Sequence, residues 1–237
     1  MGAEAEKTAV LSSREKVTVA ILARNEEATI EKVIMSAASC CGDVIVIDGN
    51  STDLTRELAR AAGARVYRDG GRGKGDGIRK AIEVARGEVI VFSDADGSHD
   101  PNDIPALAAP IITGRADLVV GSRWRGGSDE LAGDIAKFVR STGSAIIALV
   151  INYRWNIRLT DVENGFRAIS TEAARDLELK EHGFTIEQEM IMKCLRRGYR
   201  VTEVATHEYV RQSGHSQLKV YKVWHRFLWC LLRNLIK

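Results

Sequence analysis

Two aspartates, Asp94 and Asp96, stand one residue apart directly after the apolar run Val89 to Phe92. Alternate side chains of an extended chain leave the same face, so the two carboxylates would be held together. A hard divalent cation with oxygen ligands relieves their mutual repulsion. A diphosphate would complete the shell of such an ion, which would neutralise the charge that grows as a sugar–phosphate bond breaks. The same pair also occurs as an ordinary acidic turn. Its position at a strand end, ahead of Ser98-His99-Asp100-Pro101, favours chemistry. A second candidate is Gly70-Gly71-Arg72-Gly73-Lys74-Gly75, either a solvated turn or a loop that cradles phosphates, with Lys74 as the cation. It fits neither the dinucleotide fingerprint GxGxxG nor the P-loop, because Gly75 follows Lys74 and Arg68 fills the first glycine position.

Strands and helices must place these residues. Val17 to Leu22, Val44 to Ile47, Arg65 to Tyr67 and Val89 to Phe92 read as four strands. Between them Ile30, Val33, Ile34 and Ala37, then Leu54, Leu58 and Ala61, recur at helical spacing. A short helix is expected around Ile78 to Ala85, after a glycine-rich stretch from Gly70 to Gly77. Continuous apolar strands joined by helices predict an α/β domain whose parallel sheet is covered on both faces. Ligands of such sheets bind at the carboxyl ends of the strands, where Asp48 and Asp94 both fall.

The 237 residues suit one large domain, and 45% apolar content supplies its core. A net charge of +2 speaks against general nucleic-acid binding. Cys40, Cys41, Cys194 and Cys230 form no CxxC pair and no zinc spacing, and read as reduced cytosolic thiols. The polar stretch Met1 to Lys16 has no apolar signal core, and Glu6 stands where myristoylation needs Ser or Thr. The longest nearly unbroken apolar run, Ala145 to Ile151, is too short to span a bilayer.

Over roughly Val17 to Leu218 an ordered set of motifs resembles the family-2 glycosyltransferases, and within them the dolichol-phosphate mannose synthase group. The set comprises Asn25-Glu26, Asp48 with Ser51 and Asp53, Gly73-Lys74-Gly75, Asp94-Ala95-Asp96 and Gly121-Ser122-Arg123. It continues with Asp161, Gly165-Phe166-Arg167, Glu187 with Glu189, and Arg211 with Gly214 and Ser216-Gln217-Leu218. The resemblance implies a GT-A fold, Rossmann-like with a mostly parallel central sheet flanked by helices. It implies a flexible tail at 1–16, a catalytic domain at 17–218 and a terminal helix at 219–237.

The resemblance also implies residue roles. Ala23, Arg24, Asn25, Glu26, Asp48 and Lys74 would surround the base and ribose of a nucleotide-sugar donor. Asp94, Ala95 and Asp96 would meet its diphosphate, with Mg²⁺ or Mn²⁺ on Asp94 and Asp96. Ser98 stands where relatives carry a longer metal ligand. Arg123, Arg140, Ser144 and Arg211 match positions that grip an acceptor phosphate. Guanidinium forks suit a phosphate monoester because they pair donors and stay charged. The expected reaction is inverting transfer of mannose from GDP-mannose to a dolichyl or polyprenyl phosphate on the cytosolic face of a membrane. A UDP-sugar donor, a soluble hydroxyl acceptor and a non-catalytic nucleotide-sugar-binding subunit are the alternatives. A hydroxyl must lose a proton, which would give Asp161, Glu187 or Glu189 the work of a base. The sequence departs from the group at Ala23-Arg24, at Asp48-Gly49-Asn50-Ser51 and at Gln217.

Lys219 to Lys237 reads as an amphipathic helix. Val220, Trp224, Phe227, Leu231 and Leu235 gather on one face, and Lys219, Lys222, Arg226, Arg233 and Lys237 on the other. With Trp229 beside the basic stripe, it would lie on an anionic membrane, pack on its own core or dock a small membrane subunit. Tyr153, Trp155 and Arg158 are a second candidate lipid contact.

Overall fold

A computed structural model describes residues 14–129, 135–212 and 220–236, with side chains described outside 135–141, 220–223 and 236. The first half alternates as the apolar pattern predicts. Strand β1 (Val17–Ala23) leads to helix α1 (Ile30–Ala38), β2 (Asp43–Asp48) to α2 (Thr55–Ala61), and β3 (Arg65–Arg68) to α3 (Lys74–Val84). Strand β4 (Val89–Asp94), a 3₁₀ turn and α4 (Ile104–Ile112) complete this half. The second half holds β5 (Leu118–Ser122), the short α5 (Arg123–Gly126), the long α6 (Ile135–Trp155) and β6 (Arg167–Ser170). Then come α7 (Thr171–Asp176), α8 (Ile186–Arg196), β7 (Val201–Ala205) and α9 (Val220–Ile236).

The seven strands form one sheet in the order β3-β2-β1-β4-β6-β5-β7. All neighbouring pairs are parallel except those of β6, which runs antiparallel to both β4 and β5. Alternation along the strands splits the core into two layers. Val19 and Ile21 pack with Ile30, Ile34 and Leu107, while Ala20 faces Ile78, Ile82 and Met190 on the opposite side. The chain runs outward from β1 to β2 and β3, then crosses to β4 on the other flank of β1. That reversal opens a crevice beyond the carboxyl ends of β1 and β4, where Leu22 lies opposite Asp94. Among the described residues no helix is long and apolar enough to cross a membrane.

Two expectations change. The glycine-rich stretch is not a loop as far as Gly77, because α3 already begins at Lys74. Its amino-terminal turn lies against the backbone of 181–183, and the Gly75 N–H donates to the His182 carbonyl at 2.8 Å. A Cβ on Gly75 would come within 2.1 Å of the Glu181 carbonyl oxygen, so glycine is what lets this helix close on the chain ahead of α8. The apolar stripe expected in the last helix is also divided. Phe227 and Leu231 are buried in the core, and Leu235 packs against it, whereas Trp224 faces outward.

Gly75→Ala should therefore cost about 2 kcal/mol through overpacking and lower Tm by about 4–8 °C. Gly143 sits inside α6, and a Cβ added there would meet nothing within 4 Å, so Gly143→Ala should raise stability by up to about 1 kcal/mol. Thermal melts of the two variants with the same sign of shift would contradict this packing.

Candidate active site

The crevice is a cleft of about 300 Å³. Its floor is set by knots between loops. Asn25, in the left-handed region at φ 56°, accepts the Thr52 N–H on its side-chain oxygen at 2.8 Å, and its own N–H donates to Ser51 Oγ at 2.9 Å. The Glu26 N–H donates to Thr55 Oγ1, and the Glu27 N–H to Asp53. Asp48 is fully buried, accepting from the Ser51 N–H and from Arg56 at 3.0 Å. Asn25 and Asp48 thus tie the β1 and β2 loops together and are not among the residues that line the cleft. Ala23, Arg24, Glu26, Lys74, Asp94, Ala95 and Asp96 do line it.

Asp94 ends β4 and meets Lys74 Nζ at 2.9 Å, and the same ammonium reaches Glu187 at 3.1 Å. Burial alone would lower the Lys74 pKa, but Asp94 and Glu187 outweigh it and hold the lysine charged. Burial pushes Asp94 upward, and the opposing charge of Lys74 brings it below its ordinary value. Gly165 makes room for this contact, since a Cβ there would lie 2.5 Å from Lys74 Nζ. Asp96 Oδ2 pairs with Arg211 at 2.8 Å, while Oδ1 accepts from the Ser98 N–H and from Ser98 Oγ at 2.7 Å. Ser98 is therefore committed to orienting Asp96. His99, stacked on Phe166 at 4.6 Å, accepts the Asp94 N–H on Nδ1, and burial depresses its pKa.

The expected acceptor residues divide. Arg123 lines the cleft, but its guanidinium is bound by Asp161 at 2.6 and 3.0 Å and by Glu208 at 3.4 Å. Three of its five N–H groups are thereby engaged. Asp161 is fully buried and lies outside the cleft lining, and its carboxylate also accepts the Glu163 and Asn164 N–H groups. Burial raises its pKa, and the ion pair with Arg123 more than reverses this. Asp161 is thus a brace for Arg123 and no open base. Arg211 lines the cleft beside Asp96. Ser144 is buried on α6 away from the cleft lining. Arg140 lies in α6 with its side chain outside the described residues, as do Gly214 and 216–218 altogether.

The cleft also gathers Asp69, Glu163 and Glu208, which the sequence did not single out, and Phe227, expected only on the apolar face of the last helix. Asp69 follows β3 as Asp48 ends β2 and Asp94 ends β4, so the strand-end rule could have found it. The others arrive through tertiary contacts without a local signal. Glu187, anticipated only as a base, is buried with Oε2 lacking any hydrogen-bond partner among the described residues. Among the described residues, seven carboxylates and four Lys or Arg side chains line the cleft. Asp94 and Asp96 could hold a divalent cation as hard-oxygen ligands, and Lys74 and Arg211 are their paired counter-charges. Burial, then the Asp96 charge, pushes the Glu26 carboxyl up to about 7.

A carboxyl with a raised pKa keeps its proton in the folded protein after the unfolded chain has lost it, so stability falls as pH rises across that interval. Metal-free protein should lose thermal stability between about pH 4.5 and 7 on this account, and Glu26→Gln should flatten that part of the profile. An unchanged slope in the variant would contradict the assignment.

Residues 18–178 match the family model described as glycosyl transferase family 2. Glycosyltransferase AglJ of Haloferax volcanii is 35% identical over 192 residues, which cover 80% of this chain and 62% of AglJ. The low-salt glycan biosynthesis hexosyltransferase Agl6 of the same organism is 28% identical over 81% of this chain and 46% of its own. The chain thus spans less than two thirds of either relative. Among solved structures, glucosyl-3-phosphoglycerate synthase from Mycobacterium tuberculosis, in complex with Mn²⁺, UDP and phosphoglyceric acid, superposes with a TM-score of 0.73. It is 25% identical, and the match covers 98% of this chain and 82% of that one. The same enzyme with Mg²⁺ and UDP gives a TM-score of 0.72. With a family model matched over more than half its length and a GT-A sheet that follows this neighbour almost throughout, the chain belongs to glycosyl transferase family 2.

Proposed function

We propose that this protein catalyses metal-dependent, inverting transfer of a hexose from a nucleoside-diphosphate sugar to the phosphate of a polyprenyl or dolichyl lipid. The observation that carries this is the acidic cleft in which Asp94 and Asp96 are neutralised by Lys74 and Arg211. A nucleoside diphosphate adds further negative charge, and Mg²⁺ or Mn²⁺ on the two aspartates would supply the Lewis acid that offsets it. A phosphate oxygen of the acceptor attacks the anomeric carbon, and the bond from that carbon to the diphosphate oxygen breaks, releasing the nucleoside diphosphate. The attacking oxygen is already anionic and needs no base. Asp161 is buried against Arg123 and Glu187 is held by Lys74, an arrangement that suits such an acceptor. The Arg123 N–H groups that no described residue engages, with Arg211, would be the cations for the acceptor phosphate.

UDP-hexose is the first donor reading, supported by the structural neighbour that binds UDP. GDP-mannose is the second, supported by the motif resemblance to the mannose synthase group. Asp69 at the end of β3 would accept from the N–H groups of either base. One observation favours a hydroxyl acceptor instead: Glu26, with its pKa pushed to about 7, is a carboxyl able to take a proton near neutrality. A lipid phosphate would place the protein at the cytosolic face of a membrane, where nucleotide sugars are available.

Asp96→Asn should lower Mn²⁺-dependent transfer to a short-chain polyprenyl phosphate by about 10²-fold or more. Full activity in this variant would exclude the metal assignment. Thermal shifts with Mn²⁺ and UDP-glucose or GDP-mannose decide the donor, because only a ligand of the native state raises Tm. Stabilisation by the guanosine compound alone would overturn the UDP reading, and stabilisation by neither would overturn both.

A further inference from the structure

Helices α6 and α9 touch each other, and both leave large apolar side chains exposed. Of the twelve exposed large apolar side chains among the described residues, seven lie on these two helices. On α9, Trp224, Leu228 and Leu232 recur every fourth residue along one stripe, and Trp229 lies at its edge. On α6, Ile146, Leu149 and Tyr153 repeat at helical spacing, opposite the buried Ala148 and Ile151. Leu149 and Tyr153 are 68% and 90% exposed, and Trp224 and Trp229 are 59% and 64% exposed, which a solvated face would not sustain so consistently. Trp155, in contrast, packs on the core.

The charge on these helices is equally one-sided. Neither Ile135–Trp155 nor Val220–Ile236 contains a single Asp or Glu, in a chain with 32 of them. Arg154 and Arg226 are exposed there, while Arg233 turns back to Glu181 at 2.6 Å and is structural. Apolar side chains capped by Trp and Tyr, flanked by cations and free of carboxylates, match the interface of an anionic bilayer. A second copy of this face would oppose like charges. The inward face of α9 adds a positional reason. Phe227 lines the catalytic cleft, and its carbonyl accepts from Gln188 on α8.

We infer that α6 and α9 together form a docking face for an anionic lipid surface, which holds the cleft beside the bilayer. This rests on the lipid-phosphate acceptor for its purpose, while the surface itself is independent of that acceptor. Leu149→Glu, Tyr153→Glu and Trp229→Glu change exposed residues outside the cleft and spare the core.

Cosedimentation of the whole chain with phosphatidylcholine vesicles, with and without phosphatidylglycerol, tests it. The wild-type protein should bind the anionic vesicles about tenfold more tightly than the neutral ones, and each variant should lose about tenfold. Absent binding, equal binding to both vesicles, or variants that bind as well as wild type would overturn the proposal. So would concentration-dependent dimerisation through this face without vesicle binding. Transfer to a short-chain polyprenyl phosphate in detergent is measured in parallel. Its absence in a wild-type protein that binds vesicles would refute the acceptor and leave the docking face standing.

Discussion

Among the described residues, seven carboxylates converge on one cleft with four lysine or arginine side chains to balance them. Several of these carboxylates arrive there because parallel strands deliver their carboxyl ends to the same edge of the sheet, and Asp69 and Asp94 ride on those ends. Burial itself, and then the charge of Asp96, push the Glu26 carboxyl up to about 7. Lys74 and Arg211 sit where the repulsion is worst, each against one of the two aspartates that follow the apolar part of β4. The rest of the site is arranged around keeping this uncomfortable density of charge in place.

Much of the surrounding polarity is scaffold. Asn25, Asp48, Ser51, Asp53 and Thr55 hold two loops against each other through a web of backbone and side-chain bonds. Arg167 is fully buried and donates to the Asn164 and Glu187 carbonyls, joining the wall that carries Gly165 to the start of α8. Arg123 is held by Asp161 and Glu208, a buried network in which loss of one partner strands the others. Removing any of these would damage the site without touching a ligand, so activity loss alone does not identify a ligand-binding residue here.

The four strands of the first half, the helices between them and the pair Asp94 and Asp96 were legible in the sequence because each is a local pattern: a β-branched apolar run, a helical spacing, two acids at a strand end. What the pattern could not disclose was direction. Asp48 ends its strand as Asp94 does, yet its carboxylate turns inward to Arg56 while Asp94 faces the cleft. Gly75 reads as loop by composition, but the nearby backbone of Glu181, over a hundred residues away in sequence, makes it a helix contact. Glu163, Glu208 and Phe227 reach the cleft through long-range packing, and the last helix divided its apolar residues between core and surface for the same reason. Membership of glycosyl transferase family 2 was carried by the order of motifs, which packing does not alter.

The central claim is that this cleft needs a divalent cation before it can accept a nucleoside diphosphate. Calorimetric titration of UDP and GDP into the wild-type protein, first in EDTA and then with Mn²⁺, tests it most directly. The charge balance predicts that at least one nucleotide binds measurably with Mn²⁺ and loses about tenfold or more in affinity without it. Equal affinity in both conditions would mean that Lys74 and Arg211 alone neutralise the diphosphate, and would contradict the account.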